Sequence, residues 1–278
     1  MELKSKKDLS DWLVVSDIDG TLNSKFRKLL KRNFDAISHF VSDLGGHFTL
    51  ASGRNVESLE KHFKKLPISG TPAIVLNGAG IYSFDKNEFI LYNSINEQGR
   101  EIVKYVSEKI NGIEIAVFTK DMIYLLNDRL FVSAIVNCDN LKYKKCNDIS
   151  QIPPENWGKV IFAGVPHALN SAKKIITEIP EPHASFMSSS IVTYEMLAEN
   201  TNKGSALKEL AGLLGIDYEH TATIGDYFND FEMLRSVFLS AACGQSPKEI
   251  KDAARFIACH CNKGSVGDLL EYIERTYL

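Results

Sequence analysis

Asp17 and Asp19 stand one apolar residue apart just past the run Trp12-Leu13-Val14-Val15, and Gly20-Thr21 follows them. A short apolar run without alternation reads as a strand buried on both faces, and in an open α/β sheet ligands bind at the carboxyl ends of such strands. Strand alternation would turn both carboxylates to one side, where like charges so close need a cation or a shared proton. Either Asp alone would pass for a capping residue of an acidic turn; Asp17-Ile18-Asp19-Gly20-Thr21-Leu22 as a whole reads as a reactive site. A second acidic group, Gly225-Asp226-Tyr227-Phe228-Asn229-Asp230, follows another apolar run. Its carboxylates would also suit a helix N-terminus, an effect of under about 1 kcal/mol at an exposed site. Cys259-His260-Cys261 lacks a second ligand pair at zinc spacing and is not read as a metal site.

The elements that must position these groups alternate between strand and helix. The stripe Leu30, Phe34, Ile37, Val41, Leu44 predicts a helix stopping at Gly45-Gly46, followed by a strand over 47–51, a helix over 56–66 and a strand over 73–76. The same rhythm fills 204–278: helix 204–214, strand 221–224, short helix 231–234, strand 237–241, helix 248–254, strand 255–258, helix 266–277. First and last thirds are therefore expected in one parallel sheet covered on both faces. Between them the rhythm changes. Two apolar runs, 81–84 and 89–92, flank Asp85-Lys86-Asn87 as a hairpin. A helix over 98–110, strands over 114–119, 122–126, 160–164 and 194–198, a helix over 169–179 and a polar stretch over 137–157 complete an α+β pattern. The expected organisation is a core of residues 1–83 and 199–278 with a domain inserted at 84–198.

The chain's 278 residues allow one large domain or a core with such an insertion. Lys and Arg number 32 against 35 Asp and Glu, so no basic excess exists to follow a phosphate backbone and nucleic acid is not an expected partner. No apolar stretch approaches the roughly 18 residues a membrane helix needs, so no membrane partner is expected either. Residues 1–7 are charged but lead into Asp8-Leu9-Ser10-Asp11 rather than an apolar run, which predicts no export signal. Five cysteines without a regular framework point to reduced thiols in a cytoplasm.

Four segments, each after the expected element, resemble in order the motifs of the haloacid dehalogenase superfamily of phosphotransferases. Asp17 to Leu22 matches the first, Leu50-Ala51-Ser52-Gly53-Arg54 the second, Lys203 the third, and Gly225 to Asp230 the fourth. Val75-Leu76-Asn77-Gly78-Ala79, with an insertion after the third core strand, is similar to the Cof-type branch, subfamily IIB, which carries a large C2-type cap. The resemblance implies an α/β fold with a Rossmann-like parallel-sheet core and an inserted α+β cap. It also implies a Mg²⁺-dependent phosphatase acting on a small-molecule phosphate ester such as a sugar or polyol phosphate.

Phosphate monoesters hydrolyse very slowly, and much of the barrier is bringing an anionic nucleophile to an anionic phosphoryl group, which a divalent cation relieves. The resemblance implies Asp17 as the nucleophile that forms an aspartyl phosphate, and Asp19 as the acid for the leaving oxygen and then the base for water. The Mg²⁺ would be held by Asp17, the Asp19 carbonyl, Asp226 and Asp230, while Ser52 and Lys203 would grip the phosphoryl group. Gly20, Gly53, Arg54, Asn77 and Asn229 are expected to line the substrate. Plainer roles stay open: Ser52 as a cap for the helix starting near Asn55, Arg54 as a surface cation, Asn77 as a turn residue. Asn-Lys-Gly-Ser occurs at 202–205 and 262–265, but only Lys203 precedes the helix that leads to the strand of Asp226, so Lys263 is set aside. Relatives usually show a Met-Gly-Asn-Ala-like turn where this chain has Ala242-Cys243-Gly244-Gln245-Ser246, a departure bearing on substrate preference. The stretch 137–157, with Lys142, Lys144, Lys145 and two prolines, reads as a solvated surface loop, with a substrate-reading cap loop as the alternative. A phosphomutase of the same superfamily, marked by a need for a bisphosphate activator, and a non-catalytic phosphometabolite-binding protein are the alternatives. The paired Asp17 and Asp19 argue against the second, because binding alone needs no nucleophile.

Overall fold

The apolar run that opens the chemistry becomes β1 (Leu13–Ser16), buried along its whole length. The computed structural model describes residues 8–26 and 28–278; the charged run over 1–7 lies outside them. After β1 come α1 (Lys31–Ser38), β2 (His47–Leu50), α2 (Val56–Phe63), β3 (Ala73–Val75), β4 (Gly80–Ser83) and β5 (Glu88–Tyr92). The middle holds α3 (Glu97–Lys109), β6 (Glu114–Phe118), β7 (Ile123–Leu126), α4 (Phe131–Cys138), β8 (Tyr143–Cys146), β9 (Lys159–Ala163), α5 (Pro166–Thr177), β10 (Ala184–Ser190) and β11 (Thr193–Ala198). The last third holds α6 (Lys203–Leu214), β12 (Thr221–Gly225), α7 (Phe231–Arg235), β13 (Leu239–Ala242), α8 (Lys248–Ala253), β14 (Phe256–Ile257) and α9 (Ser265–Tyr277). Two compact units result, Met1–Ile90 with Lys203–Leu278, and Leu91–Asn202. Among the described residues no helix is long and apolar enough to cross a membrane.

The first unit is built on a parallel sheet of order β14-β13-β12-β1-β2. β1 runs between two parallel neighbours, with Val15 opposite Thr223 on one side and Thr49 on the other, which is why it needs apolar side chains on both faces. A single parallel bridge, Ala51 to Ile74, carries the sheet on to β3, which then pairs antiparallel with β4. The helix predicted to run to Leu44 is interrupted: α1 ends at Ser38 and the chain continues as a wider π turn over His39–Asp43. That turn brings Phe40 against Gly46, where a Cβ would collide with the ring.

The second unit has a sheet of order β10-β11-β9-β6-β7-β8, antiparallel except for β7 with β8. Ile102, Val103 and Val106 of α3 and Leu169, Ala172 and Ile176 of α5 pack with Val160, Phe162 and Met196 of the strands. Three elements here differ from the sequence expectation. β8 lies inside the stretch read as a solvated loop; it is an edge strand in which only Cys146 is buried, and exposed Lys144 and Lys145 hide its pattern while protecting the edge. β10, also an edge strand, is half-buried and serine-rich, so it too lacks an apolar signal. α4 has no local cap. Glu114, buried on β6, accepts the N–H groups of Leu130 and Val132 at 3.0 and 2.9 Å, so the helix start is specified from another element.

Candidate active site

The acidic pair sits where β1 leaves the sheet. Asp17 continues the ladder, its N–H donating to Ile224 O at 3.0 Å, and its carboxylate is buried. Gly20 then takes φ 88, a left-handed conformation that suits glycine, and a Cβ there would collide with the Asp226 carboxylate. The turn after β1 and the turn after β12 therefore close on one another because the sheet places β12 beside β1.

Lys203, at the first position of α6 and fully buried, lies between two carboxylates. Its Nζ donates to Asp17 Oδ1 and to Asp230 Oδ1, each at 2.6 Å. Asp230 uses its other oxygen to accept the backbone N–H groups of Asp226, at 2.9 Å, and Tyr227, at 3.2 Å. Carboxylate oxygens of Asp17, Asp226 and Asp230 lie within 4.8 Å of one another. Burial, with the charges of Asp230 and Asp226, pushes the Asp17 carboxyl up to about 8 despite the nearby Lys203. Burial and Asp230 push Asp226 up to about 6 against the opposing pull of Lys203 and of hydrogen bonds from Gln245 and Thr21. Burial alone would lower the Lys203 ammonium; Asp17 and Asp230 outweigh it and hold the group charged. Three carboxylates against one ammonium make a site that favours protons or a cation. Its donors are hard oxygens, the set that suits Mg²⁺ rather than a soft metal.

Asp19 behaves differently from its neighbour. Its side chain is about half exposed (47%) and lies outside the three-carboxylate cluster, leaving only its carbonyl for the metal role expected of it. Arg54 Nη2 and Nε donate to Asp19 Oδ2 at 2.8 and 3.1 Å, while Nη1 donates to Ser58 Oγ at 2.8 Å. Arg54 is thus largely buried and anchors the Asp19 carboxylate rather than standing as a free surface cation. Ser52 is buried beyond β2, with its N–H on Ile74 O at 3.0 Å and its Oγ accepting from Arg54 N–H at 3.3 Å. The cap of α2 is Asn55, whose Oδ1 takes the Ser58 N–H, so the capping role left open for Ser52 falls to another residue. Asn77, buried and at φ 55, donates its N–H to Ser52 O at 2.9 Å, and Gly53 packs directly on its amide. Asn229 is half-buried on the turn Phe228–Asp230. Lys263 is exposed, and its carbonyl is tied to Arg32 Nη1 at 3.1 Å.

Two groups that the sequence motifs contain, without giving them a role of their own, lie near these residues. Thr21 is fully buried, and its hydroxyl reaches Asp226 Oδ1 at 3.4 Å. Gln245, in the departing turn after β13, donates to the Gly20 carbonyl. Its position at the carboxyl end of a strand of the same sheet was the available signal.

A family model described as haloacid dehalogenase-like hydrolase matches residues 14–270. A Streptococcus pyogenes serotype M6 protein named as a candidate phosphatase is 26% identical over 261 residues, covering 91% of this chain and 95% of its own. An uncharacterized hydrolase of Schizosaccharomyces pombe is 26% identical over 275 residues, covering 94% and 90%. Among solved structures, a haloacid dehalogenase-like hydrolase from Bacteroides thetaiotaomicron matches with a TM-score of 0.84 at 20% identity, covering 94% of this chain and 99% of its own. A subclass IIB sugar phosphatase of the same superfamily matches with a TM-score of 0.82 at 18% identity, covering 95% and 99%. At these identities the structures are alike in fold.

Proposed function

The chain belongs to the haloacid dehalogenase-like hydrolases, and from that premise we propose that it is a Mg²⁺-dependent phosphohydrolase cleaving a small phosphate monoester, a sugar or polyol phosphate, through an aspartyl phosphate on Asp17. The observation that carries this reading is the buried Lys203 held between Asp17 and Asp230 beside Asp226. A site meant only to bind a phosphate would not place a carboxylate where the anion must sit.

Asp17, Asp226 and the Asp19 carbonyl would hold the Mg²⁺, with Asp230 at the cluster's inner side, where both its oxygens already have partners. A cation held there would supply positive charge against the phosphoryl oxygens and would favour the ionised, nucleophilic form of Asp17. Lys203 and the Ser52 hydroxyl hold the remaining phosphoryl oxygens. An Asp17 oxygen attacks phosphorus as the bond to the leaving oxygen breaks, and Asp19 gives that oxygen a proton. Water then attacks the aspartyl phosphate, Asp19 takes its proton, and the bond from phosphorus to the Asp17 oxygen breaks to release inorganic phosphate. Arg54 holds Asp19 Oδ2 with two hydrogen bonds, so proton delivery to the leaving oxygen requires the Asp19 side chain to leave that fork when substrate enters. In this reading the inserted domain, residues 84–198 as the sequence divides the chain, is a cap that selects the ester.

The test is kcat/KM over a panel of phosphate esters with Mg²⁺. Turnover of sugar or polyol phosphates is expected, lost in EDTA and not restored by Ca²⁺, whose larger, looser shell misplaces the nucleophile. Full activity after metal stripping would overturn the metal assignment, and turnover only with a bisphosphate activator would indicate the mutase.

A further inference from the structure

Gln245 has all its polar atoms committed around the proposed catalytic turn. Nε2 donates to the Gly20 carbonyl oxygen at 2.6 Å, and Oε1 accepts the Cys261 N–H at 2.9 Å. The side chain also lies close enough to the Asp226 carboxylate to favour its charged form. One amide thereby joins the turn after β1, the end of β12 and the short turn Cys261–Lys263 ahead of α9. Gly20 needs such support. It lies past the ladder of β1 at φ 88; the turn is closed by Asn23 N–H to Ile18 O at 2.9 Å, while the two bonds nearest Gly20 are longer, 3.3 Å both for Thr21 N–H to Ile18 O and for Leu22 N–H to Asp17 O. The 2.6 Å bond from Gln245 is shorter than either.

We propose that Gln245 is a positioning residue: it fixes the Gly20 peptide, and with it the directions of Asp17 and Asp19, against Asp226. This rests on the phosphohydrolase reading above. The amide has a chemistry that its isosteres lack. Glu at 245 keeps the shape and the acceptor for Cys261 but turns oxygens toward the Gly20 carbonyl and the Asp226 charge. Met keeps the volume and removes every polar contact. Asn keeps the amide one methylene short, so it reaches fewer partners at once.

The experiment compares Gln245→Glu, Gln245→Met and Gln245→Asn with the parent by three readouts: kcat and KM on the best ester, Mg²⁺ affinity by calorimetry without substrate, and melting temperature. Partners that orient metal ligands typically change affinity or activity by about 10–100-fold, so kcat and Mg²⁺ affinity should each fall by that factor in the Glu and Met variants. KM should move by less than about threefold, because the substrate's own contacts are retained. The Asn variant should lie between these and the parent. A Glu variant with kcat and Mg²⁺ affinity within about twofold of the parent overturns the proposal. So does a fall in melting temperature and kcat with Mg²⁺ affinity intact, since that is the mark of a merely structural contact. If the Met variant does not fold, the order parent, Asn, Glu decides, and Glu at or above Asn overturns it. Should the parent cleave no ester, the phosphohydrolase reading fails, while the Mg²⁺ titration still tests the positioning of Asp17 and Asp226.

Discussion

The two units bury charge in opposite ways. In the second, Lys159 of β9 and Glu195 of β11 face each other at 3.2 Å, both buried, with the ammonium 4.9 Å from the centre of the Phe118 ring. One cation meets one anion on neighbouring antiparallel strands. In the first, one ammonium faces three carboxylates gathered from β1, the end of β12 and the turn beyond it. The balanced pair reads as structural, whereas the unbalanced cluster raises the proton affinity of Asp17 and Asp226 and leaves a site for a cation. Burial of charge by itself does not mark a reactive site, since Glu114 is buried at the start of β6 only to take the N–H groups of α4; several carboxylates converging on one ammonium at the carboxyl ends of strands do.

The sharpest way to break this contrast is at the acidic pair. Asp17→Asn should reduce turnover to background while leaving the fold intact, whereas Asp19→Asn should lose about 10²–10⁴ on alkyl phosphates and much less on aryl phosphates with good leaving groups. Steady-state rates on both ester types check this, and an Asp17→Asn protein with parental kcat would refute the assignment. Exchange of residues 84–198 for the insertion of a relative with different preference comes next. The kcat/KM ratio between two esters should move toward the donor's by about 10–200-fold, the scale of one or two discriminating contacts, with catalysis preserved. An active chimera that keeps the parental ranking would place selection in the core loops near Asn77 and Cys243.

The cluster's charge imbalance should also appear as a pH dependence of stability. A carboxyl whose folded value is raised binds more protons folded than unfolded, so stability falls as pH rises from the unfolded value. With Asp226 near 6 and Asp17 near 8, metal-free protein should lose melting temperature from about pH 4 to pH 8 and then level off. Saturating Mg²⁺ should reverse the loss, most strongly above pH 8, where Asp17 and Asp226 are both largely deprotonated. Thermal scans with and without Mg²⁺ measure this, and a metal-free profile rising over that range would show that Lys203 already balances the cluster. The balanced pair should respond oppositely to design. Lys159→Met alone should cost about 3–5 kcal/mol, while Lys159→Met with Glu195→Leu should come within about 1 kcal/mol of the parent or exceed it. Denaturant titration of the full chain checks both.

The sequence by itself determined β1, the acidic string that follows it, and the alternation that makes the first and last thirds one parallel sheet. These are local signals, carried by unbroken apolar runs and by the helical stripe that includes Phe34 and Ile37. It also contained the motif order that separates Lys203 from Lys263. Only the tertiary structure decided what these groups do to one another. Arg54 gripping Asp19, Asp230 dividing its oxygens between Lys203 and two backbone amides, and Gln245 clamping Gly20 join residues up to 225 positions apart. Such contacts follow from the strand order β12-β1-β2, which no local pattern encodes. The same reason hid α4, whose cap is Glu114 on β6, and the edge strands β8 and β10, whose main chains pair although their side chains carry little apolar pattern. Periodicity reports the face a residue turns to the core; which charges converge at the end of a sheet is settled only when the strands are in place.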